Sequence, residues 1–90
     1  MRTVEISVTA KDITEGDAEE CTSCPIALAA ARKFPDRRVR VYPLSIVLAA
    51  IGTYSRYMLP AEAIRFVDDF DNGHSVQPFT FQLEVPEVDE

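Results

Sequence analysis

The chain has no tryptophan, one histidine (His74), two cysteines (Cys21 and Cys24) and three glycines, and each scarcity removes a class of chemistry. A structural zinc site takes four Cys or His ligands, commonly from two Cys-x-x-Cys pairs. One such pair and a single distant histidine cannot complete it within a monomer. A carboxylate from residues 68–71 could join the pair, or two monomers could share one ion, and an iron–sulfur cluster would need the same sharing. Glycines at 16, 52 and 73 are too dispersed to form a Gly-rich phosphate loop. His74 beside Ser75, with no third group in register, does not make a hydrolytic triad. Long apolar runs are missing as well. The longest uncharged stretch, residues 41–55, is interrupted by Pro43, Ser45, Gly52 and Thr53, and falls short of the ~20 apolar residues of a membrane span. The first five residues lack the apolar centre of a secretory signal, so a cytoplasmic protein with reduced thiols is expected. No catalytic set, metal or cofactor is expected.

What is present describes a globular domain. Hydrophobic residues make up 47% of the chain and charged residues 27%, which argues against disorder. One α+β domain is expected over residues 1–86, followed by an acidic tail at 87–90. The net charge of −6 is unevenly spread: residues 1–20 carry −4, residues 21–65 carry +5, and residues 66–90 carry −7 with no Lys or Arg at all. The basic middle is concentrated in Arg32, Lys33, Arg37, Arg38 and Arg40.

Periodicity supplies the elements. Val4, Ile6 and Val8 alternate with Glu5, Ser7 and Thr9, as in a half-buried strand. Asp12 and Glu15 stand at capping-box spacing before Gly16, which predicts one short helical turn. The stretch around the two cysteines predicts a helix over about 23–33, with Ser23 or Thr22 as the cap, Pro25 in the first turn and Pro35 as the stop. Helical spacing puts Cys24, Leu28 and Ala31 on one stripe and Ile26, Ala30 and Phe34 on the next, so Cys24 is expected to face the core and Cys21 to be partly exposed. Thiols at a helix N-terminus meet free N–H groups that favour the thiolate.

Residues 37–41 alternate again, with Val39 and Val41 inward and Arg38 and Arg40 outward. Residues 44–51 are apolar apart from Ser45, and periodicity does not decide between a buried strand and a helix, which Ala49 and Ala50 favour. Ile46, Val47 and Ile51 favour a strand, which a hairpin near residues 50–52 connects to a return strand at 53–59. Pro60 is expected to open a second helix whose buried stripe is Ala63, Phe66, Val67 and Phe70 and which Gly73 ends. Glu62–Arg65 and Arg65–Asp69 stand at helical pair spacing on its wet side. Asp68, Asp69 and Asp71 crowd its C-terminal end, where the helix dipole disfavours negative charge, a mismatch suited to a contact surface. Phe79, Phe81, Leu83 and Val85 alternate with Thr80, Gln82 and Glu84 in the last strand, which Pro86 stops. The order β-α-β-β-β-α-β predicts an α+β fold of about five mainly antiparallel strands with two helices on one face.

Three motifs taken together carry a resemblance: Cys21-x-x-Cys24-Pro25-Ile26-Ala27-Leu28-Ala29; Tyr57-x-Leu59-Pro60 leading to Phe66-Val67-x-x-Phe70-Asp71-x-Gly73; and Val76-x-Pro78-Phe79-x-Phe81. They resemble a group of small uncharacterised proteins encoded by phages of actinobacteria outside the virion structural genes. The resemblance implies expression in the cytoplasm of a bacterial host and transfers no catalytic residue.

The expected function is therefore a non-enzymatic protein-interaction module, a phage-encoded modulator of a host protein. Its candidate binding residues are Arg37, Arg38, Arg40 and Tyr42 on a strand face and Asp68, Asp69 and Asp71 at a helix end. The alternatives are a metal- or thiol-dependent protein using Cys21 and Cys24, with His74 the outside candidate ligand, or a small nucleic-acid-binding protein. A membrane is not an expected partner, and the overall charge opposes nucleic acid. An open strand edge would allow two copies to pair.

Overall fold

The structure is a computed structural model and describes residues 2–85, with side chains from residue 3 onward. The acidic tail and the stop at Pro86 lie outside the described residues. The order is β1 (Arg2–Val8), α1 (Ala10–Glu15), α2 (Pro25–Lys33), β2 (Arg38–Val41), β3 (Ser45–Ala50), β4 (Thr53–Met58), α3 (Ala61–Asp71) and β5 (Phe79–Val85). This is an α+β fold with five antiparallel strands, as the alternating segments imply. No helix among the described residues is long and apolar enough to cross a membrane.

The strands form two sheets rather than one. The first and last strands pair antiparallel, with Ile6 opposite Phe81 and Val4 opposite Leu83. The middle three form a separate meander in the order β2-β3-β4. β4 comes close to β5, but no hydrogen-bonded ladder joins them. A break of this kind leaves no mark on the hydrophobic alternation of either strand.

One core fills the space between the layers. Ile6, Phe81 and Leu83 meet Val39, Ile46 and Leu48 across a cluster that also holds Ile26, Ala30, Phe34, Ala63 and Phe66. α2 packs on both β1 and β2 and so bridges the two sheets. Its small residues allow that close approach. Ala27, Ala29 and Ala30 are buried, whereas Leu28 is half-buried and Ala31 exposed. The stripe through Ile26, Ala30 and Phe34 thus faces the core, and the one through Leu28 and Ala31 is turned away from it. α3 reaches β5 through its aromatic side, with the Phe66 ring stacked on Phe79 at 4.8 Å and Phe79 on Phe81 at 5.5 Å.

The helix ends correct three local expectations. The capping box belongs to Thr9 and Asp12, not to Asp12 and Glu15: the Asp12 N–H donates to Thr9 Oγ1 at 3.2 Å, and the Thr9 N–H donates to Asp12 Oδ2 at 2.9 Å. The result is a six-residue helix in place of one turn. Cys24, rather than Ser23 or Thr22, is the N-cap of α2, with Pro25 as its first residue. Pro60 caps α3 from outside, and the helix proper begins at Ala61. Its C-terminus closes as a Schellman motif. The His74 N–H donates to the Asp69 carbonyl at 2.9 Å and the Gly73 N–H to that of Phe70 at 3.1 Å, with Gly73 at φ +79°.

Candidate functional site

The meander has a buried face and an open one, and register decides what shares the open face. Arg40 stands opposite Val47, and Val47 opposite Arg56; in the neighbouring row of the same face Arg38 stands opposite Ala49, and Ala49 opposite Tyr54. Three arginines and two tyrosines thus surround a small apolar floor. Val47 is only 1% exposed although it points away from the central cluster, because the long side chains around it cover it. Arg38, Arg40, Tyr42 and Tyr54 line a shallow cavity of about 560 Å³ over Val47 and Ala49; Asp36 stands at its edge as the one acidic residue of the lining, and Arg56 lies outside it.

Arg56 is held in place. Its Nη1 donates to Ser45 Oγ at 2.7 Å and its Nη2 to the Tyr54 hydroxyl at 3.1 Å, while the guanidinium lies 5.3 Å from the centroid of the Tyr42 ring. Arg38 and Arg40 are exposed, and among the described residues neither has a hydrogen-bond or ion-pair partner. Arg37 precedes β2, is half-buried and does not line this cavity.

Arg32 drops out of the basic middle. Its guanidinium grips Asp12 through two bonds of 2.7 Å and also donates to the Ser7 carbonyl at 3.1 Å. That bidentate grip, set against the cost of burial, holds the Asp12 carboxyl below its ordinary range. Arg38, Arg40 and Arg56, which have no ion-pair partner among the described residues, share the open sheet face.

The three aspartates of α3 share a turn but not a surface. Asp68 Oδ1 accepts from Asn72 Nδ2 at 3.2 Å, and Asp69 meets His74 Nδ1 at 3.4 Å. Asp71 turns towards the cysteine loop, where its Oδ1 accepts the Glu19 N–H at 2.9 Å. Among the described residues, Arg65 has no ion pair with Glu62 or with Asp69.

Cys24 is buried and Cys21 half-buried, as their positions relative to the helix imply. The thiolate expectation fails for Cys24. Burial pushes its thiol above the ordinary value, the Ala27 and Ile26 N–H groups only partly offset this, and Asp71 and Cys21 push it higher still. Desolvation outweighs the helix N-terminus. Alkylation of the folded protein at neutral pH should therefore label Cys21 first and reach Cys24 only on unfolding, as peptide mass spectrometry would show; equal labelling would contradict this. Among the described residues, no group of three or more His, Cys, Asp or Glu side chains is placed to hold a metal ion.

Arg56 and Tyr54 were not anticipated as site residues, although a signal for them exists. A two-residue turn at Ile51-Gly52 pairs Ala50 with Thr53, and counting outward puts Arg56 opposite Val47 and Tyr54 opposite Ala49. Compared with protein-family models, with curated proteins and with solved structures, the chain has no match.

Proposed function

We propose that this protein is a non-enzymatic interaction module whose open meander face docks an acidic segment of another protein. The observation that carries the reading is the row Arg40–Val47–Arg56, flanked by Arg38, on a chain whose net charge is −6. Arg40 and Arg56 are two strands apart, roughly 10 Å at the backbone. At that distance salt screens much of their repulsion, and an anion lying between them gains charge-assisted hydrogen bonds from both. Arg56 is already fixed by Ser45, Tyr54 and Tyr42, so part of the ordering cost of binding is met before a ligand arrives.

Arg38 and Arg40 stand two residues apart on one face of β2, a spacing of roughly 7 Å. Carboxylates at alternate positions of an extended peptide repeat at the same spacing. Nucleic acid suits the surface less well. Beyond Tyr42 the molecule turns acidic at Glu19, Glu20 and Asp71, which confines any anion to the short arginine face and so suits a segment of a few residues better than a long phosphate backbone. The resemblance to phage-encoded proteins makes a bacterial host protein the expected owner of the segment.

Fluorescence anisotropy with a labelled eight-residue peptide alternating Glu and Thr tests the reading. Binding is expected at low salt and should weaken about tenfold, or ~1.4 kcal/mol, in Arg40→Glu and in Arg56→Gln. Lys11→Glu, on α1, should leave it unchanged. A peptide alternating Gln and Thr that binds equally well, or an oligothymidine of the same length that binds more tightly, would contradict it.

A further inference from the structure

A second cavity, of about 510 Å³, opens on the other side of Tyr42, between the turn before α2, the end of β2 and the C-terminal turn of α3. Its size falls within the ordinary range of small-molecule sites, roughly 300–1,000 Å³. We propose that it is a binding site for a small organic cation, an ammonium group carried on an apolar or aromatic body. The inference is independent of the acidic-segment reading and uses the opposite charge.

Three features select that chemistry. The first is the sign of the lining: Glu19, Glu20 and Asp71 are its charged residues, and it includes no lysine, arginine or histidine. The C-terminal end of the α3 dipole adds to this negative field, since Asp71 is the helix's last residue. The second is the wall. Tyr42, Phe66 and Phe70 line the cavity; Phe66 is stacked on Phe79 and one side of Tyr42 carries the Arg56 guanidinium, so Phe70 and the other side of Tyr42 are the aromatic surface that attracts a desolvated cation. Phe66 and Phe70 are stacked nearly parallel, 4° apart with centroids at 6.1 Å, so this wall is already arranged. The third is the anchor. Asp71 is fixed by the Glu19 N–H at 2.9 Å, which leaves its second oxygen to accept from an ammonium.

An anion would meet three carboxylates, and a neutral apolar molecule would gain nothing from them. Two thiols complete the floor. Asp71 is half-buried and lines the cavity together with Cys24, so its charge belongs to the wall.

The test is an amide chemical-shift titration of the reduced, full chain with phenethylammonium, with neutral 2-phenylethanol as its match in size. The amine is expected to give saturable shifts at Glu19, Cys21, Cys24, Tyr42, Phe70 and Asp71, and to bind at least about fivefold more tightly than the alcohol. Asp71→Asn keeps an acceptor for the Glu19 N–H and removes the charge; it should weaken the amine severalfold and leave the alcohol unchanged. Glu20→Gln, at an exposed position, repeats the test where the fold is not at risk. Equal affinity for amine and alcohol, absence of saturable shifts, or an amine affinity insensitive to both variants would overturn the proposal.

Discussion

Asp12→Ala should destabilise the chain by roughly 1–3 kcal/mol, because it removes a helix cap and a bidentate charge-assisted pair together, the pair's share being reduced by the half-exposed Arg32 side chain. Asp12 is 4% exposed, closes the capping box with Thr9 and accepts both arms of Arg32. The bridge ties α1 to α2, and the Arg32 bond to the Ser7 carbonyl extends it to β1. Asp12→Asn should cost less, since an amide oxygen can still accept from the Thr9 N–H. In a domain of this size the alanine variant should melt lower by on the order of 5–20 °C. The dependence on pH follows from the direction of the shift. The folded-state carboxyl lies below its ordinary value, which is about 4 in an unfolded chain. Its contribution is therefore complete above that value and is lost as pH falls through the lower, folded one. Denaturant titrations of wild type and Asp12→Asn should differ by a constant amount from pH 5 to 8 and converge below pH 4. A gap that persists undiminished into strong acid would show that the charge is not the cause.

Gly16→Ala should also destabilise, by roughly 1–3 kcal/mol, although general rules point the other way. Gly16 has an extended backbone, φ −74° and ψ 154°, which any residue adopts. Replacing glycine at such a position normally stabilises by roughly 0.4–1 kcal/mol through the unfolded chain. Space reverses the sign. A Cβ at position 16 would lie 2.6 Å from Pro25 Cδ and 2.7 Å from Cγ. The Pro25 ring is fully buried at the first turn of α2 and cannot swing aside. The double-mutant cycle with Pro25→Ala isolates this contact: Gly16→Ala should be much less costly, or favourable, once the ring is gone. Additive losses would place the cause elsewhere.

How much of this could be read from sequence depended on whether the determinant was local. β1, β2 and β5 alternate with period two, and the strands follow that pattern closely. The apolar run at 44–51 was ambiguous by period, and its β-branched residues indicated the strand that forms as β3. Of the stripe Ala63, Phe66, Val67 and Phe70, the first three are buried as the spacing requires and Phe70 is half-buried. Thr9 was harder, because an outward strand position and a helix cap ask for the same residue. Arg32 and Asp12 are twenty residues apart, and no local pattern connects them. The arginine face was half legible. β2 displays its own arginines, but Arg56 joins them only through the register of two ladders. The Cys-Pro helix start was misleading about Cys24 because a helix terminus is visible in sequence and burial is not.

The central claim is that the open face of β2, β3 and β4 is the binding surface. It is tested most directly by amide chemical-shift mapping of the labelled protein against the alternating Glu-Thr peptide. Shifts confined to Arg38, Arg40, Val47, Ala49, Tyr54 and Arg56, and lost on raising the salt, are the expected result. Shifts centred on the outer face of β1 and β5, or none at peptide concentrations up to the millimolar range, would contradict it.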